Sequence, residues 1–275
     1  MTTDIESLSA RRPIGHAATQ ATIVEQTRAA SEVAAAVEVA LRFPRDMERA
    51  RAQMRQACSS LALAERAFYS VPNRGNDASV HLARELIRCW GNAQHGVVEL
   101  RRDDEARQSE VHAYAWDVEN NVRSVRSFVV PHARMKGRQR QELTDLSDVV
   151  NNNNNAGARA VRETIWHVIP RWFRDEAIAL CRQTLEKGDG AALPDRIDKM
   201  MGAFRRLNVD AKRLEARLSR PQSKWDEQDV AALGVVYQSI QAGETTVDDE
   251  FPAPNRSAAD DVADQVQRLT AGGES

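Results

Sequence analysis

The stretch Ser109-Glu110-Val111-His112-Ala113-Tyr114-Ala115-Trp116-Asp117-Val118 decides the fold class of this chain. Small apolar residues alternate in it with larger or polar ones. Because successive side chains of a strand point to opposite faces, this two-residue period predicts a β-strand. Residues 96–101 and 122–130 fit neighbouring strands, and Asn120-Asn121 fits a hairpin turn, since asparagine tolerates positive φ. The sequence predicts an antiparallel sheet of three strands, or slightly more.

In the sequence, apolar residues recur at helical spacing both before and after the predicted strands. Before it, an alanine-rich helical stretch covers residues 28–41. A long helix runs from Met47 to Phe68, a turn-rich loop covers Val71 to Asp77, and a second helix ends at Trp90. We therefore expect an α+β fold in which the sheet packs with helices.

The sequence after the sheet is helical again. A basic loop over residues 131–140 leads to the run Asn151–Asn155, for which loop and helix both stay open. It continues into one helix and then another that ends near Gly188. Residues 193–242 form a three-helix pattern, in which Asp210 and Asp226 are credible N-caps. The expected organisation is a disordered arm (1–24), an α+β core (25–190), a helical module (191–244) and an acidic disordered tail (245–275).

Bulk properties limit the class of protein. The chain has 275 residues, of which 42% are apolar, so it has enough sequence for a substantial core. No window approaches the roughly 18 apolar residues of a membrane span, and Met1–Gln20 lacks the pattern of a secretory signal. Three widely spaced cysteines, Cys58, Cys89 and Cys181, predict free buried thiols in a reducing cytosol. We expect a cytoplasmic protein without membrane contact.

Charge is segregated along the chain, although its formal net value is -2. Between residues 123 and 174, ten cations face four acids, which leaves about +6. Residues 244–264 carry seven acids and one arginine, which leaves about -6. This segregation suggests a polyanion-binding surface and an acidic tail that competes for it or recruits a partner. The alternative is a pair of solvated faces.

Catalytic motifs are absent from the sequence. It contains no phosphate-binding glycine loop, dinucleotide fingerprint or zinc-protease helix, so we predict no catalytic residue, no metal ligand and no cofactor. Asp117 and Glu119, two apart on a strand, offer a magnesium pair of the kind nucleases use, and a polar strand end is the simpler interpretation. Five aromatic residues near the basic stretch are candidates for base stacking, although most of them fit the core: Tyr114, Trp116, Phe128, Trp166 and Trp172.

Several short motifs follow an order that resembles a known family. They are Phe43-Pro44-Arg45, Val71-Pro72, Ser79-Val80-His81-Leu82-Ala83-Arg84-Glu85-Leu86 with Trp90-Gly91-Asn92, Asp117-Val118-Glu119-Asn120-Asn121, Asn155-Ala156-Gly157-Ala158-Arg159-Ala160-Val161-Arg162-Glu163 and Ile169-Pro170. Over about residues 40–252 the chain resembles phage and prophage single-strand annealing recombinases of the RecT, Redβ and Erf kind. The stretches Asn208-Val209-Asp210, Trp225-Asp226 and Asp249-Glu250-Phe251 resemble their small helical tail module.

The resemblance implies a basic groove, formed by sheet and helix, that holds one DNA strand by its backbone with the bases outward. It also implies a multimeric ring or helix. One stretch departs from the pattern. Where relatives carry a glycine- and lysine-rich loop, this chain has Asn73-Arg74-Gly75-Asn76-Asp77, so only Arg74 remains there for phosphate contact.

We therefore expect a non-enzymatic protein that binds single-stranded DNA and anneals strands without ATP in phage recombination. The predicted DNA-binding residues are Arg74, Arg123, Arg126, Arg134, Lys136, Arg138, Arg140, Asn155, Arg159 and Arg162. Asn155 would offer amide donors from a helix N-terminus, and neither Arg159 nor Arg162 is expected in the core.

The expected partners are single-stranded DNA and further copies of the chain. The C-terminal module adds a phage exonuclease or a host single-strand-binding protein as a candidate partner. Two alternatives stay open: a helical structural or adaptor protein of a phage particle that binds an acidic partner, and the metal-dependent nuclease.

Overall fold

A three-stranded antiparallel sheet stands at the centre of the computed structural model, which describes residues 20–72, 74–136 and 139–252. Its strands are β3 (Ala93–Asp103), β4 (Gln108–Asp117) and β5 (Val122–Pro131), with β4 in the middle. The α+β prediction and the three-stranded sheet are confirmed. Asn121 takes a φ of 52° in the turn between β4 and β5, as predicted for an asparagine hairpin.

Two small hairpins were missed by the sequence analysis. β1 (Phe68–Val71) pairs with β2 (Gly75–Ala78), and β6 (Ala133–Lys136) pairs with β7 (Gln139–Glu142). The expected loops over 71–77 and 131–140 therefore contain strands. Four-residue strands such as Gly-Asn-Asp-Ala are too short and too polar to show a two-residue apolar period, so only their pairing reveals them.

The helices before the sheet are α1 (Gln20–Arg42), α2 (Met47–Cys58), the short α3 (Leu61–Ala64) and α4 (Val80–Trp90). The prediction of one helix from Met47 to Phe68 is wrong, because α2 ends at Cys58 and the chain turns before α3. The predicted arm is also too long. Residues 20–24 already belong to α1, and residues 1–19 lie outside the described part.

Two long helices follow the β6–β7 hairpin: α5 (Leu146–Val168), which packs on the sheet, and α6 (Arg171–Lys187). The N-cap of α5 is Asp145, whose carboxylate accepts hydrogen bonds from the amides of Ser147 and Asp148. The run Asn151–Asn155 is therefore the interior of a helix. The main core lies between α2, α4, α5, α6 and the inner sheet face, and it includes all three cysteines as free, buried thiols.

A second, smaller core holds the C-terminal module together. The module consists of α7 (Leu193–Arg205), α8 (Ala211–Leu218), α9 (Glu227–Gln241) and the single turn α10 (Val247–Glu250). The predicted N-caps at Asp210 and Asp226 are confirmed, since each carboxylate accepts from the amide three residues later. None of the helices in the described ranges is long and apolar enough to cross a bilayer.

The prediction of a disordered tail is wrong for its first residues, from 245 to 251. Residues 246–250 include α10, and Phe251 is only 3% exposed, with its ring 5.4 Å from that of Phe204. Arg217 approaches the buried carboxylate of Glu250 at 2.7 Å and fixes this turn on α8. Residues 253–275 lie outside the described part. The acidic stretch is thus partly a component of the module core.

Asp117 and Arg45 form a buried ion pair at one end of the sheet. Their side chains are 2% and 5% exposed, and Nη2 of Arg45 lies 2.8 Å from Oδ1 of Asp117. The same guanidinium donates to the carbonyl oxygens of Trp90 and Gly91 and lies 4.1 Å from the Trp90 ring centroid. Trp90 and Asn120 donate to Oδ2 of Asp117. One carboxylate thereby ties the start of α2, the end of α4 and the β4–β5 turn together.

Gly157 permits the close approach of α5 to the sheet. A Cβ at this position would lie 2.5 Å from Cγ1 of Val97 on β3, well inside van der Waals contact. Glycine in a helix interior costs about 1 kcal/mol relative to alanine. The chain tolerates this cost because only a hydrogen fits between helix and strand.

Asp117→Asn should lower the free energy of unfolding by about 3–5 kcal/mol in urea titrations, since it leaves the Arg45 charge buried and unpaired. Asp175→Asn breaks two exposed ion pairs and should cost less than about 1 kcal/mol. An equally small cost for both would contradict the anchoring role of Asp117.

The pH dependence of stability should also reflect the buried ion pair of Asp117 and Arg45. Burial acts to raise the pKa of Asp117, but hydrogen bonds from Arg45, Trp90 and Asn120 outweigh it and hold the pKa below its ordinary value. Because the pKa of Asp117 is lowered in the folded protein, its ionised carboxylate stabilises the fold at pH values above the ordinary carboxyl pKa. This stabilisation is lost in more acidic solution. The wild-type protein should therefore lose stability below about pH 4 more steeply than Asp117→Asn.

Gly157→Ala should destabilise the protein by about 1–3 kcal/mol because Val97 and the helix must move apart. Val97→Ala in the same chain should relieve part of this loss. Gly202→Ala is the matched control, since Gly202 lies in α7 with no atom within 4 Å of its added Cβ, and it should gain up to about 1 kcal/mol. Urea unfolding of the three variants measures this, and a stabilising Gly157→Ala would contradict the close packing.

Candidate nucleic-acid interface

The side of α5 away from the sheet carries two arginines and one aromatic ring in one line. Asn155, Arg159, Arg162 and Trp166 stand at steps of four, three and four residues, which places them on one helix side. Gly157, packed against Val97, marks the opposite, sheet-facing side. We call Asn155, Arg159, Arg162 and Trp166 the α5 stripe. The sequence prediction that Arg159 and Arg162 share a face is confirmed by this spacing.

Arg162 is more buried than the sequence analysis expected. Its side chain is 14% exposed, it donates to Glu163, and its guanidinium lies 4.9 Å from the centroid of the Tyr69 ring on β1. Burial raises the pKa of the Tyr69 hydroxyl, and the positive charge of Arg162 opposes that rise without cancelling it. Arg162 thus joins α5 to the β1–β2 hairpin, although it does not belong to the buried core.

A second ring and arginine continue the line towards α6. Trp166 is half-buried, and the guanidinium of Arg174 lies 5.7 Å from its ring centroid. Arg171 and Arg174 both approach Asp175, at 3.3 Å and 3.4 Å. Asp175 stands one residue beyond the cationic stretch that the sequence analysis counted. The last two arginines of that stretch are therefore partly neutralised.

The side chains of four predicted DNA-binding arginines have no hydrogen-bond or ion-pair partner among the described residues: Arg74, Arg123, Arg126 and Arg159. All four are exposed. Unpaired guanidinium groups keep their full capacity for phosphate, which they contact with two parallel N–H donors.

The sheet places two of these arginines on different faces. Arg126 pairs with Ala113, which is fully buried beneath α5, so Arg126 lies on the face that carries the α5 stripe. Arg123 pairs with Trp116, whose side chain stands on the other face. Because strand residues an odd number apart point to opposite sides, one groove cannot use both arginines directly.

The β6–β7 hairpin holds three more predicted residues. Arg140 is paired with Glu142 at 2.8 Å, and Arg134 lies 3.5 Å from the side-chain oxygen of Gln141. Lys136 ends β6. Arg138 lies outside the described residues.

The predicted helix N-terminus at Asn155 is wrong. α5 begins nine residues earlier, at Leu146, so the backbone amide of Asn155 belongs to the helical hydrogen-bond ladder and cannot serve a phosphate. The side chain of Asn155 is exposed on the α5 stripe, so its side-chain amide is the group that this position can offer to a phosphate. The asparagine run was mistaken for the start of α5. The sequence signal of the true start is the N-cap Asp145, followed by Ser147 and Asp148.

The sequence analysis missed a second cationic cluster, which surrounds the exposed side of α4. Nη2 of Arg66 lies 3.2 Å from Nδ1 of His81. Burial and then the charges of Arg66 and Arg84 lower the pKa of His81, and burial together with Arg84 lowers the pKa of His95. These residues are up to 29 positions apart in the sequence, so no local charge run predicted them.

The carboxylates considered for a metal pair serve the fold. The carboxylate of Asp117 accepts hydrogen bonds from the side chains of Arg45, Trp90 and Asn120. The carboxylate of Glu119 accepts hydrogen bonds from the backbone amide of Arg45 and the side chain of Asn92. Within the described ranges, no group of three or more histidine, cysteine or acidic side chains is placed to hold a metal ion.

Comparison with family models, with curated proteins and with solved structures finds no match to this chain.

Arg162→Ala should lower the free energy of unfolding by about 1–2 kcal/mol, because it removes the stacking of the guanidinium on Tyr69 and the packing of its stem. Arg159→Ala should change stability by less than about 0.5 kcal/mol, since its side chain is exposed and unpaired. Urea unfolding of the two variants distinguishes them. An equal loss of unfolding free energy in the two variants would mean that the Arg162 side chain contributes no more to stability than that of Arg159.

Proposed function

We propose that the protein binds single-stranded nucleic acid along the α5 stripe and anneals complementary strands without ATP. The observation that carries this proposal is a series of arginines and half-buried rings along α5 and on the residues of β1 and α6 that contact it. Arg159 is unpaired, Arg162 lies over Tyr69, and Arg174 lies over Trp166. Proteins that bind single strands combine cations that follow the backbone with rings on which bases stack.

Position and charge support the same surface. Arg126 lies on the same sheet side as α5, and Arg74 stands at the turn of the hairpin that Arg162 contacts through Tyr69. Arg126 and Arg74 come from two separate elements beside α5, namely β5 and the β1–β2 turn. Binding there neutralises phosphates and releases counterions, so its strength depends on salt. The annealing step then needs presented bases and no catalytic residue.

The resemblance to single-strand annealing recombinases supports the annealing activity and the role in phage recombination. It also supports a place in the cytoplasm of a bacterial host. An exonuclease or a single-strand-binding protein is the partner we propose for the C-terminal module.

Fluorescence anisotropy with a labelled oligonucleotide tests the binding. If about six phosphates are contacted, the affinity should fall by roughly 10³-fold between 50 and 200 mM salt. Arg126→Ala with Arg159→Ala should weaken binding at every sequence and lower the salt slope by about two. An affinity that hardly changes with salt would overturn the proposal.

Arg205→Ala with Arg206→Ala is the matched control for this double variant. Both arginines are exposed at the end of α7, so the pair removes the same charge from a different surface. This control should bind like the wild-type protein. Equal weakening by the two double variants would show that binding follows the total charge and not the α5 stripe.

An annealing assay completes the test. Two complementary labelled oligonucleotides are mixed with the protein in the absence of ATP, and duplex formation is followed with and without magnesium. Faster annealing is the expected result. Absence of nucleic-acid binding would favour the adaptor hypothesis, and magnesium-dependent cleavage would favour the nuclease hypothesis.

A further inference from the structure

The second cationic cluster stands beside the start of α4. Arg66, His81 and Arg84 are exposed there, and His95 on the adjoining strand β3 is half-buried. Nη2 of Arg66 lies 3.2 Å from Nδ1 of His81, and the charge of Arg84 acts on both imidazole rings. The side chains of Arg66 and Arg84 have no ion-pair partner among the described residues. We call these four residues the α4 cluster.

A buried serine fixes the backbone on which two of these side chains stand. Ser79, the N-cap of α4, is 3% exposed, and its hydroxyl donates to the carbonyl oxygen of Arg66. Its amide donates to the carbonyl oxygen of Ala67, and its hydroxyl oxygen accepts from the amide of Leu82. The turn before β1 is thereby joined to the first turn of α4. Because Arg66 and His81 face each other on a fixed backbone, a ligand between them costs little conformational entropy to order.

The carboxylates that lie near the α4 cluster in the sequence are used elsewhere. Glu65 lines the cavity between α3, α6, α7 and α9. The carboxylate of Asp77 accepts a hydrogen bond from the hydroxyl of Tyr69, and Glu85 forms an ion pair with Arg88. The positive charge of the cluster is therefore not balanced by these neighbours.

Both histidines reflect this unbalanced charge. Burial and then the charges of Arg66 and Arg84 lower the pKa of His81, and burial and then Arg84 lower the pKa of His95. A histidine whose pKa lies below its ordinary value is mainly neutral at pH 7. The contact with Arg66 requires the same state of His81, because a guanidinium only donates and Nδ1 must accept. Nε2 of His81 then carries the proton and is a free donor.

We infer that the α4 cluster is an anion site that holds a phosphate group and takes up a proton when it does so. A phosphate accepts the N–H donors of both arginines and cancels the positive charge that keeps the imidazoles neutral. Each ring can then gain a proton and donate to the same anion. Donors that come from the turn before β1, from α4 and from β3 suit a tetrahedral anion with several oxygens. His81 lies in the first turn of α4, where the helix dipole adds to the attraction.

This site goes beyond the proposed binding along the α5 stripe, because the two share no residue. The phosphate it holds is either a diester, as in a nucleic-acid backbone, or a monoester, as at a strand end or in a small metabolite. Dimethyl phosphate is the probe for the diester and keeps a single negative charge through the range in which histidine titrates. Methyl phosphate is the probe for the monoester.

Nitrogen NMR of the imidazole rings in the full chain tests the site between about pH 5 and 8. The protein is titrated in sodium chloride, and then with each phosphate probe at the same ionic strength. At least one probe should raise the pKa of His81 and of His95. If the pKa of one ring rises by about 1, the probe should bind about tenfold more tightly in acidic than in alkaline solution. His112, on the other side of the sheet, is the internal control, and its resonances should not respond.

Arg66→Gln with Arg84→Gln removes the two cations of the site. In chloride, the pKa of His81 should be higher in this double variant than in the wild-type protein, because the charges that lower it are gone. The phosphate probes should no longer change it. Arg205→Gln with Arg206→Gln removes the same charge from the exposed end of α7 and should behave like the wild-type protein. Circular dichroism checks that each variant keeps its helix content.

The two probes also identify the source of the phosphate. A response to dimethyl phosphate assigns the site to a strand backbone, and a response to methyl phosphate alone assigns it to a phosphate monoester. If neither probe changes the titration of His81 or His95, the inference is overturned. It is also overturned if the Arg66→Gln, Arg84→Gln variant responds like the wild-type protein. A chain that binds the probes but no DNA keeps the α4 cluster as a phosphate site and refutes only the proposed function.

Discussion

The buried pair of Asp117 and Arg45 is the interaction on which the rest of the structure depends. Arg45 follows α1, Trp90 ends α4 and Asp117 ends β4, so one ion pair fixes three segments that are distant in sequence. Two charges removed from water stabilise a fold only when hydrogen bonds satisfy them completely. Here the carbonyl oxygens of Trp90 and Gly91, the indole of Trp90 and the amide of Asn120 do so.

This anchor also fixes the residues that follow α1. It holds Phe43 and Arg45 at one corner of the sheet, while α5 packs on one sheet side. The close contact of Gly157 with Val97 then holds α5 against the inner side. As a result, the α5 stripe lies on one side of the sheet, and the half-buried His112, Tyr114 and Trp116 lie on the other.

Local patterns in the sequence determined the sheet, most helices and several caps. The alternation over residues 109–118 identified β4, Asn120-Asn121 identified its turn, and Asp210 and Asp226 identified two helix starts. Each of these signals lies within a few residues, and the physics behind it is equally local: side-chain direction, tolerance of positive φ and capping of free amides. The α+β class follows from them without knowledge of any long-range contact.

Tertiary structure decided what each arginine does. The sequence could count cations between residues 123 and 174, but it could not show that Arg162 stacks on Tyr69, that Arg140 pairs with Glu142, or that Arg123 and Arg126 face opposite ways. Those outcomes depend on strand register and on partners up to 93 residues away, which no local period encodes. For the same reason Phe251, taken from the sequence as part of a disordered tail, lies in the core of the C-terminal module.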